Sequence, residues 1–262
     1  MADARFLETP VRHATGYVGF FDGTGFSADG HRPRVNGELA VRLEQAPRDL
    51  ELLYKASGIG LLSRNPEGMT TVLPGRARGS SLAPPDDDGY QLRGVIFDRN
   101  GRFNPRAFSL DTGTDEAHWL RVYRSPLGTR RPHAGWLVAR LQFTGGEPAS
   151  WAVATCTVSP PFCAPLVFAA QADINGDLLL PLNRVPAPDK NESDSRYPAT
   201  LSIKADPGSS GRAFADPETF TDCSIATPSS GDFVASISLQ VEPGSDTRIS
   251  SKDSESLQLQ KD

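Results

Sequence analysis

One short device occurs twice in this chain and constrains its fold more than any other feature. Asp98-Arg99-Asn100-Gly101-Arg102-Phe103 recurs in variant form as Asp173-Ile174-Asn175-Gly176-Asp177-Leu178. An apolar approach precedes each copy, Val95-Ile96-Phe97 in the first and Val167-Phe168-Ala169 in the second, and another extended run follows. Asn-Gly tolerates positive φ at both central positions of a tight turn, so it reverses a strand within two residues. Two copies spaced about one β-sandwich apart predict two β domains.

The rest of the chain agrees with strands. Helical periodicity is nearly absent. The segment from Leu39 to Leu53 starts as alternating Leu39-Ala40-Val41-Arg42-Leu43, which favours a strand, and Pro47 opens a turn. A short helical turn over Arg48 to Lys55 is the competing reading there. Further strand-like runs cover 16–21, 58–62, 90–97, 107–110 and 120–123, then 135–143, 150–158, 166–171, 178–182, 199–204 and 233–241. The 24 glycines and 22 prolines suit short strands joined by many turns. The expected class is all-β: two β-sandwich domains, transthyretin- or immunoglobulin-like, with long loops and little helix. The cut falls near 111–118, giving a first sandwich over 1–113 and a second over 114–244. Loops are predicted at 76–88, 185–196 and 206–231. Residues 245–262 are polar but keep Ile249, Leu257 and Leu259, which predicts a late edge strand or a tail ordered by a partner.

Charge and cysteine usage narrow the function classes. A net charge of −5, with Lys and Arg scattered, gives no basic surface for nucleic acid. No run of about eighteen apolar residues exists, so no membrane insertion is expected. Met1-Ala2-Asp3-Ala4-Arg5-Phe6 lacks the layout of a secretory signal, which predicts synthesis and assembly in the cytoplasm. The three cysteines are Cys156, Cys163 and Cys223. Cys156 and Cys163 are able to pair, but an odd count and the absence of a C-x-x-C spacing favour reduced thiols.

Motifs that carry chemistry are near misses. Asp111-Thr112-Gly113 matches the surroundings of an aspartic protease carboxylate, but such a site needs a second aspartate to share the proton. Asp22-Gly23-Thr24-Gly25 has the wrong order. Asp173-Ile174-Asn175-Gly176-Asp177 opens like a calcium loop, yet Arg184 stands where the late acidic ligand belongs. His13, His31, His118 and His133 have no metal-pair spacing, and no G-x-S-x-G elbow exposes a serine. Trp119, Trp136 and Trp151 are expected in a sandwich core. The expectation is a non-enzymatic protein with no catalytic residues, cofactor or metal.

A longer succession of motifs carries a resemblance. Gly101-Arg102-Phe103-Asn104-Pro105-Arg106-Ala107-Phe108 is followed by Ser125-Pro126 and Arg131-Pro132, then by Gly135-Trp136-Leu137-Val138-Ala139-Arg140. Pro148-Ala149-Ser150-Trp151-Ala152, Ala172-Asp173-Ile174-Asn175-Gly176 and Tyr197-Pro198-Ala199-Thr200-Leu201 complete it. This order resembles accessory proteins encoded with phage-tail-like contractile injection systems. Their members read G-R-F-x-P-x-A-F, S-P-x-R-x-x-P-x-G-W-x-x-V-R-A, P-A-x-W-A, A-D-x-x-G and W-P-x-x-L. The resemblance covers roughly residues 94 to 262, and more faintly an opening module similar to a carboxypeptidase-regulatory-like (transthyretin-like) sandwich. Tyr197 departs from the family's Trp, and Leu127-Gly128-Thr129 is a looser spacer.

The resemblance implies a structural subunit at one end of a contractile particle, either a cap adaptor or a baseplate-associated protein. Its partners would be tube, sheath, cap or baseplate subunits, with a ring of six as the implied copy number. The signature residues Gly101, Arg102, Phe103, Pro105, Phe108, Pro126, Pro132, Gly135, Trp136, Arg140, Trp151, Asp173, Gly176 and Pro198 then have structural uses. Gly101 and Gly176 make turns, Pro126 and Pro132 a rigid bend, and Trp136 and Trp151 core; Arg102 and Arg140 pair with buried carboxylates or a neighbouring subunit. The alternative is a freestanding β-sandwich module binding carbohydrate or protein, for which Tyr17, Phe20, Phe21 and Phe26 are the candidate aromatic contacts.

Overall fold

The computed structural model describes residues 16–27, 32–47, 50–55, 57–63, 90–112, 116–129, 135–161, 163–187 and 195–261. The chain is all-β. Two separate hydrophobic clusters organise it, one built from Val18 through Val122 and the other from Leu137 through Leu259.

The first unit is a sandwich of two sheets. Strands β1 (Gly16–Asp22), β4 (Leu50–Lys55), β5 (Gly58–Ser63) and β8 (Glu116–Val122) form one sheet in the order β4-β5-β1-β8. Strands β3 (Leu39–Gln45), β6 (Tyr90–Asp98) and β7 (Arg106–Thr112) form the other, in the order β3-β6-β7. Period-two alternation puts Val18, Phe20, Ile59, Leu61, Leu120 and Val122 on the inner face of the first sheet. Val41, Leu92, Ile96 and Phe108 meet them from the second. Of the helical turn considered for 48–55, the described part, Leu50–Lys55, is a strand, because Leu50 and Leu52 alternate toward that core.

The second unit is one long hydrogen-bonded sheet rolled over its own core. Its strands are β9 (Trp136–Phe143), β10 (Val153–Val158), β11 (Leu166–Gln171), β12 (Asp177–Pro181), β13 (Tyr197–Ala205), β14 (Thr221–Ala226), β15 (Phe233–Val234), β16 (Ile237–Val241), β17 (Thr247–Ile249) and β18 (Leu257–Lys261). The main path runs β12-β9-β18-β14-β13-β10-β11 and ends on β2 (Gly25–Ser27), a strand contributed by the N-terminal part of the chain. The helical content among the described residues is the single-turn α1 (Pro126–Thr129) and two 3-10 turns capped by Asp206 and Asp216. No helix among them is long and apolar enough to cross a membrane.

The boundaries differ from the expected cut at 113/114 in two places. β8 pairs in parallel with β1, and its Leu120 and Val122 fill the first core, so that core runs on to residue 122. β2 leaves the first unit and pairs with β11, where the Phe26 ring packs edge-on to Phe168 with centroids 5.9 Å apart. Of the last residues, β17 pairs with β9 alone, as a short edge strand does, and the correction to the expected edge or tail concerns β18. β18 lies between β9 and β14, and Leu257 and Leu259 are fully buried. Of the predicted loops, 76–88 lies outside the described residues and 185–196 only partly inside them. The segment 206–231 contains a true inner strand, β14, whose Cys223 and Ile225 were the apolar anchors to notice.

All three cysteines are free, Cys156 and Cys223 buried and Cys163 exposed. Burial pushes the Cys156 thiol up to about 12 from an ordinary 9.0. A thiol reagent should therefore label Cys163 alone in the native protein, and all three after unfolding; fast labelling of two or more native thiols would contradict the packing. As pH rises past the ordinary thiol value, the unfolded chain ionises Cys156 while the folded chain keeps its proton. That contribution lowers stability between roughly pH 9 and about 12 and is absent below that window.

Candidate functional site

Part of the signature, Gly101 to Phe108 with Asp173 and Gly176, lies around the joint between the two cores. The repeated Asp-x-Asn-Gly device builds the turn there by a route different from a tight hairpin. In the first copy the Asp98 carboxylate accepts the Asn100 amide at 3.0 Å and the Arg102 amide at 2.9 Å. In the second, Asp173 Oδ1 accepts from Asn175 at 2.8 Å and Asp177 at 3.0 Å. Positive φ is confined to the glycines, +66° at Gly101 and +78° at Gly176, and neither asparagine adopts it. The leading aspartate thus organises each turn as a side-chain mimic of backbone. The second copy joins β11 to β12, which do not pair with each other but lie on opposite layers of the rolled sheet. There the Gly176 carbonyl also accepts the Leu141 amide at 2.8 Å, pinning the corner to β9.

Downstream of the first turn, the segment 101–108 stitches the units together. Phe103 is 2% exposed in the first core, and the Arg124 guanidinium lies over its ring at 5.3 Å. Arg124 Nε donates to the buried Asp22 Oδ2 at 2.7 Å, and its amide donates to Thr24 Oγ1 at 2.6 Å. Asn104 is buried and donates through Nδ2 to the Ala172 carbonyl at 3.0 Å, just before the second turn. Ala107 donates its amide to the Ala215 carbonyl at 3.0 Å, so β7 meets the 206–220 segment backbone to backbone.

Arg106 is the most heavily committed side chain of the joint. It is 2% exposed, donates to the Arg121 carbonyl through one terminal nitrogen, and meets Asp216 and Glu218 through the other at 3.3 Å each. Asp216 is 18% and Glu218 69% exposed, so the guanidinium is buried while its acidic partners reach toward solvent. Desolvation raises the Asp216 carboxyl above the ordinary carboxylate range, against the opposing pull of Arg106. The neighbouring Tyr123 phenol is also raised, first by burial, with Arg121 acting the other way.

The expected pairings of Arg102 and Arg140 are revised by this arrangement. Arg102 is exposed, and Arg140 makes a surface pair with Asp177 at 3.9 Å with both side chains more than half exposed. The deeply placed arginines are Arg106 and Arg124. Arg106 was legible as an anomaly, since strand alternation puts it on the same face as Phe108. Its acidic partners, more than a hundred residues away, were not.

The other signature positions scatter through the second unit. Trp136 opens β9, and Gly135 just before it lies against the backbone of Gly244 and Ser245. Trp151 is 4% exposed, holds φ +65°, and donates its indole N–H to the Arg212 carbonyl at 2.9 Å. Pro198 sits near the start of β13. Pro126 begins α1, Pro105 lies in the strap beside Asn104, and Pro132 is outside the described residues.

Of the chemical near misses, Asp22 is neutralised by Arg124, whereas Asp111 is exposed and accepts from Gln91 at 3.5 Å. Gly113, His13, His31 and His133 lie outside the described residues. Among the described residues no three His, Cys, Asp or Glu groups are placed to hold a metal ion. The candidate aromatic contacts also divide. Phe20 and Phe26 belong to the cores, and Phe21 is half-buried beneath Arg121. Trp119, expected inside, is 40% exposed; its ring lies on Gly19, meets Tyr17 edge-on, and is covered by Arg32 at 4.5 Å. The missing side chain at Gly19 is what lets the indole lie flat on the sheet.

No protein-family model matches the chain, and neither the curated proteins nor the solved structures contain a match.

Proposed function

We propose that this chain is a non-enzymatic structural subunit of a contractile, phage-tail-like injection particle, acting as a terminal adaptor at the cap or the baseplate. The observation that carries the reading is the use made of the shared motif residues. Phe103, Phe108, Trp151, Asp173 and Gly176 hold turns or fill cores, and Asn104 and Arg106, at the two variable positions of the first motif, tie one unit to the other. Such positions keep two docked β units in a set relation, which an adaptor between larger rings requires. The motif resemblance supplies the particle; the joint supplies a reason for those residues to occur together.

The carbohydrate-binding alternative has Trp119 and Tyr17 in its favour. It is weaker because Arg32 already lies over the Trp119 ring on which a sugar would stack, and Gly19 lies close against that ring.

Pelleting tail-like particles from the native host and locating this protein by immunogold electron microscopy tests the proposal. Label at one end of sheathed tubes, in a small fixed copy number, is expected. Protein confined to the supernatant would overturn it and turn attention to ligand screening.

A further inference from the structure

The chain holds three Asn-Gly pairs, and the fold treats them unequally. Asn100-Gly101 and Asn175-Gly176 each follow an aspartate by two residues, whereas Asn36-Gly37 follows Arg34. In the first two pairs the aspartate carboxylate accepts the asparagine amide. The glycine amide is committed to the aspartate carbonyl, at 3.1 Å in both turns. Both of those glycines are also fixed at positive φ. Ahead of β3 the arrangement is different. No described residue accepts the Asn36 or Gly37 amide, and Gly37 does not have positive φ.

The surroundings of Asn36 leave it room to react. Its side chain is exposed, while Val35 before it is anchored in the first core. A pocket of about 260 Å³ runs beside the segment, lined in part by Val35, Gly37, Glu38 and Leu39. Glycine presents no Cβ to hinder approach to its nitrogen, and its backbone turns freely. The peptide unit between Asn36 and Gly37 thus has space to rotate without first breaking a hydrogen bond to a described residue.

We infer that Asn36 is a site of spontaneous covalent modification through a succinimide, and that the two Asp-x-Asn-Gly turns are protected by the hydrogen bonds that build them. The Gly37 amide nitrogen loses its proton to hydroxide and attacks Cγ of Asn36. The new C–N bond closes a five-membered ring, and the side-chain nitrogen leaves as ammonia. Water then opens the ring at one of its two carbonyls, giving aspartate or isoaspartate in place of Asn36. The reaction is internal to the chain and takes only water and hydroxide from solution. It introduces a carboxylate and, in the isoaspartate product, adds a methylene to the backbone. Both changes fall directly before a glycine whose Cβ position lies 3.1 Å from the Phe103 ring and 3.5 Å from Asp98 Oδ2. The inference does not rest on the particle reading.

Peptide mapping by mass spectrometry tests it, on the full chain held at mildly alkaline pH in native buffer and in parallel in concentrated urea. In the native protein Asn36 is expected to convert at least about tenfold faster than Asn100 or Asn175, whose glycine amides must first be released. In urea the three rates should draw together, because the protecting turns are gone. Asn36→Gln should lose most of the early acidic species seen on ion exchange, since a glutamine side chain closes a larger ring more slowly. Native rates that are alike at the three sites overturn the inference, as does an intact Asn36 beside a converted Asn100 or Asn175. So does a preference for Asn36 that persists unchanged in urea, or an acidic species undiminished in Asn36→Gln.

Discussion

Replacing Gly176 with alanine is expected to destabilise the protein by at least about 3 kcal/mol, whereas the equivalent change at Gly101 should cost only about 1 to 2 kcal/mol. Both glycines occupy the same place in the same turn device, with φ of +78° and +66°. The left-handed backbone therefore penalises a side chain about equally at each. Their surroundings differ. A Cβ at Gly101 meets nothing within 4 Å, while one at Gly176 would overlap the Leu141 carbonyl oxygen. That oxygen belongs to β9 and accepts the Ala149 amide at 3.0 Å, so it cannot retreat without breaking a hydrogen bond in the sheet. Thermal unfolding of the two variants side by side separates backbone strain from steric overlap. For a chain of this size the difference should appear as a melting temperature several degrees lower for Gly176→Ala. Equal losses would mean that the close approach at Leu141 relaxes freely.

Arg106→Ala is the second large effect, expected at about 2 to 4 kcal/mol. The change empties a buried volume, removes the donor to the Arg121 carbonyl, and leaves Asp216 and Glu218 without their cation. Water reaches Glu218 and part of Asp216, which moderates the electrostatic share of the loss. Arg106→Met, which keeps much of the volume, should recover part of it. The pH response has a definite sign. Asp216 already sits above its ordinary value in the folded protein, and removing Arg106 deletes an opposing influence. A raised carboxyl favours the folded state when protonated, so its unfavourable contribution is full above the folded value and fades as pH falls through it. The deficit of Arg106→Ala relative to wild type should thus shrink on acidification. Hydrogen exchange at the Ala107 amide, bonded to Ala215 across the joint, should quicken in the variant. Unchanged protection there, with unchanged stability, would show that Arg106 does not hold the two units together.

Much of the architecture was open to reading because β structure writes its alternation into neighbouring residues. Val18 and Phe20, or Leu137, Ala139 and Leu141, announce an inward face from period two alone, and the glycines of the Asp-x-Asn-Gly turns announce where the chain changes direction. All-β character followed from those local rules. The turn mechanism was only half legible: the need for positive φ at Gly101 and Gly176 was plain, but the use of Asp98 and Asp173 as backbone-capping carboxylates depends on side-chain rotamers.

What tertiary structure alone decided is which strand lies beside which. Leu257 and Leu259 read as the end of a polar tail, yet they form β18 between β9 and β14 because the rolled sheet has a gap there that only a distant segment fills. β2 crosses to the second unit because Phe26 finds Phe168, and Arg106 is held because Asp216 and Glu218 are brought back to it from far along the chain. Pattern along a chain specifies which face of a strand is buried. It carries no record of the neighbour, because backbone hydrogen bonds are the same for every residue and partner choice depends on the packing of the whole.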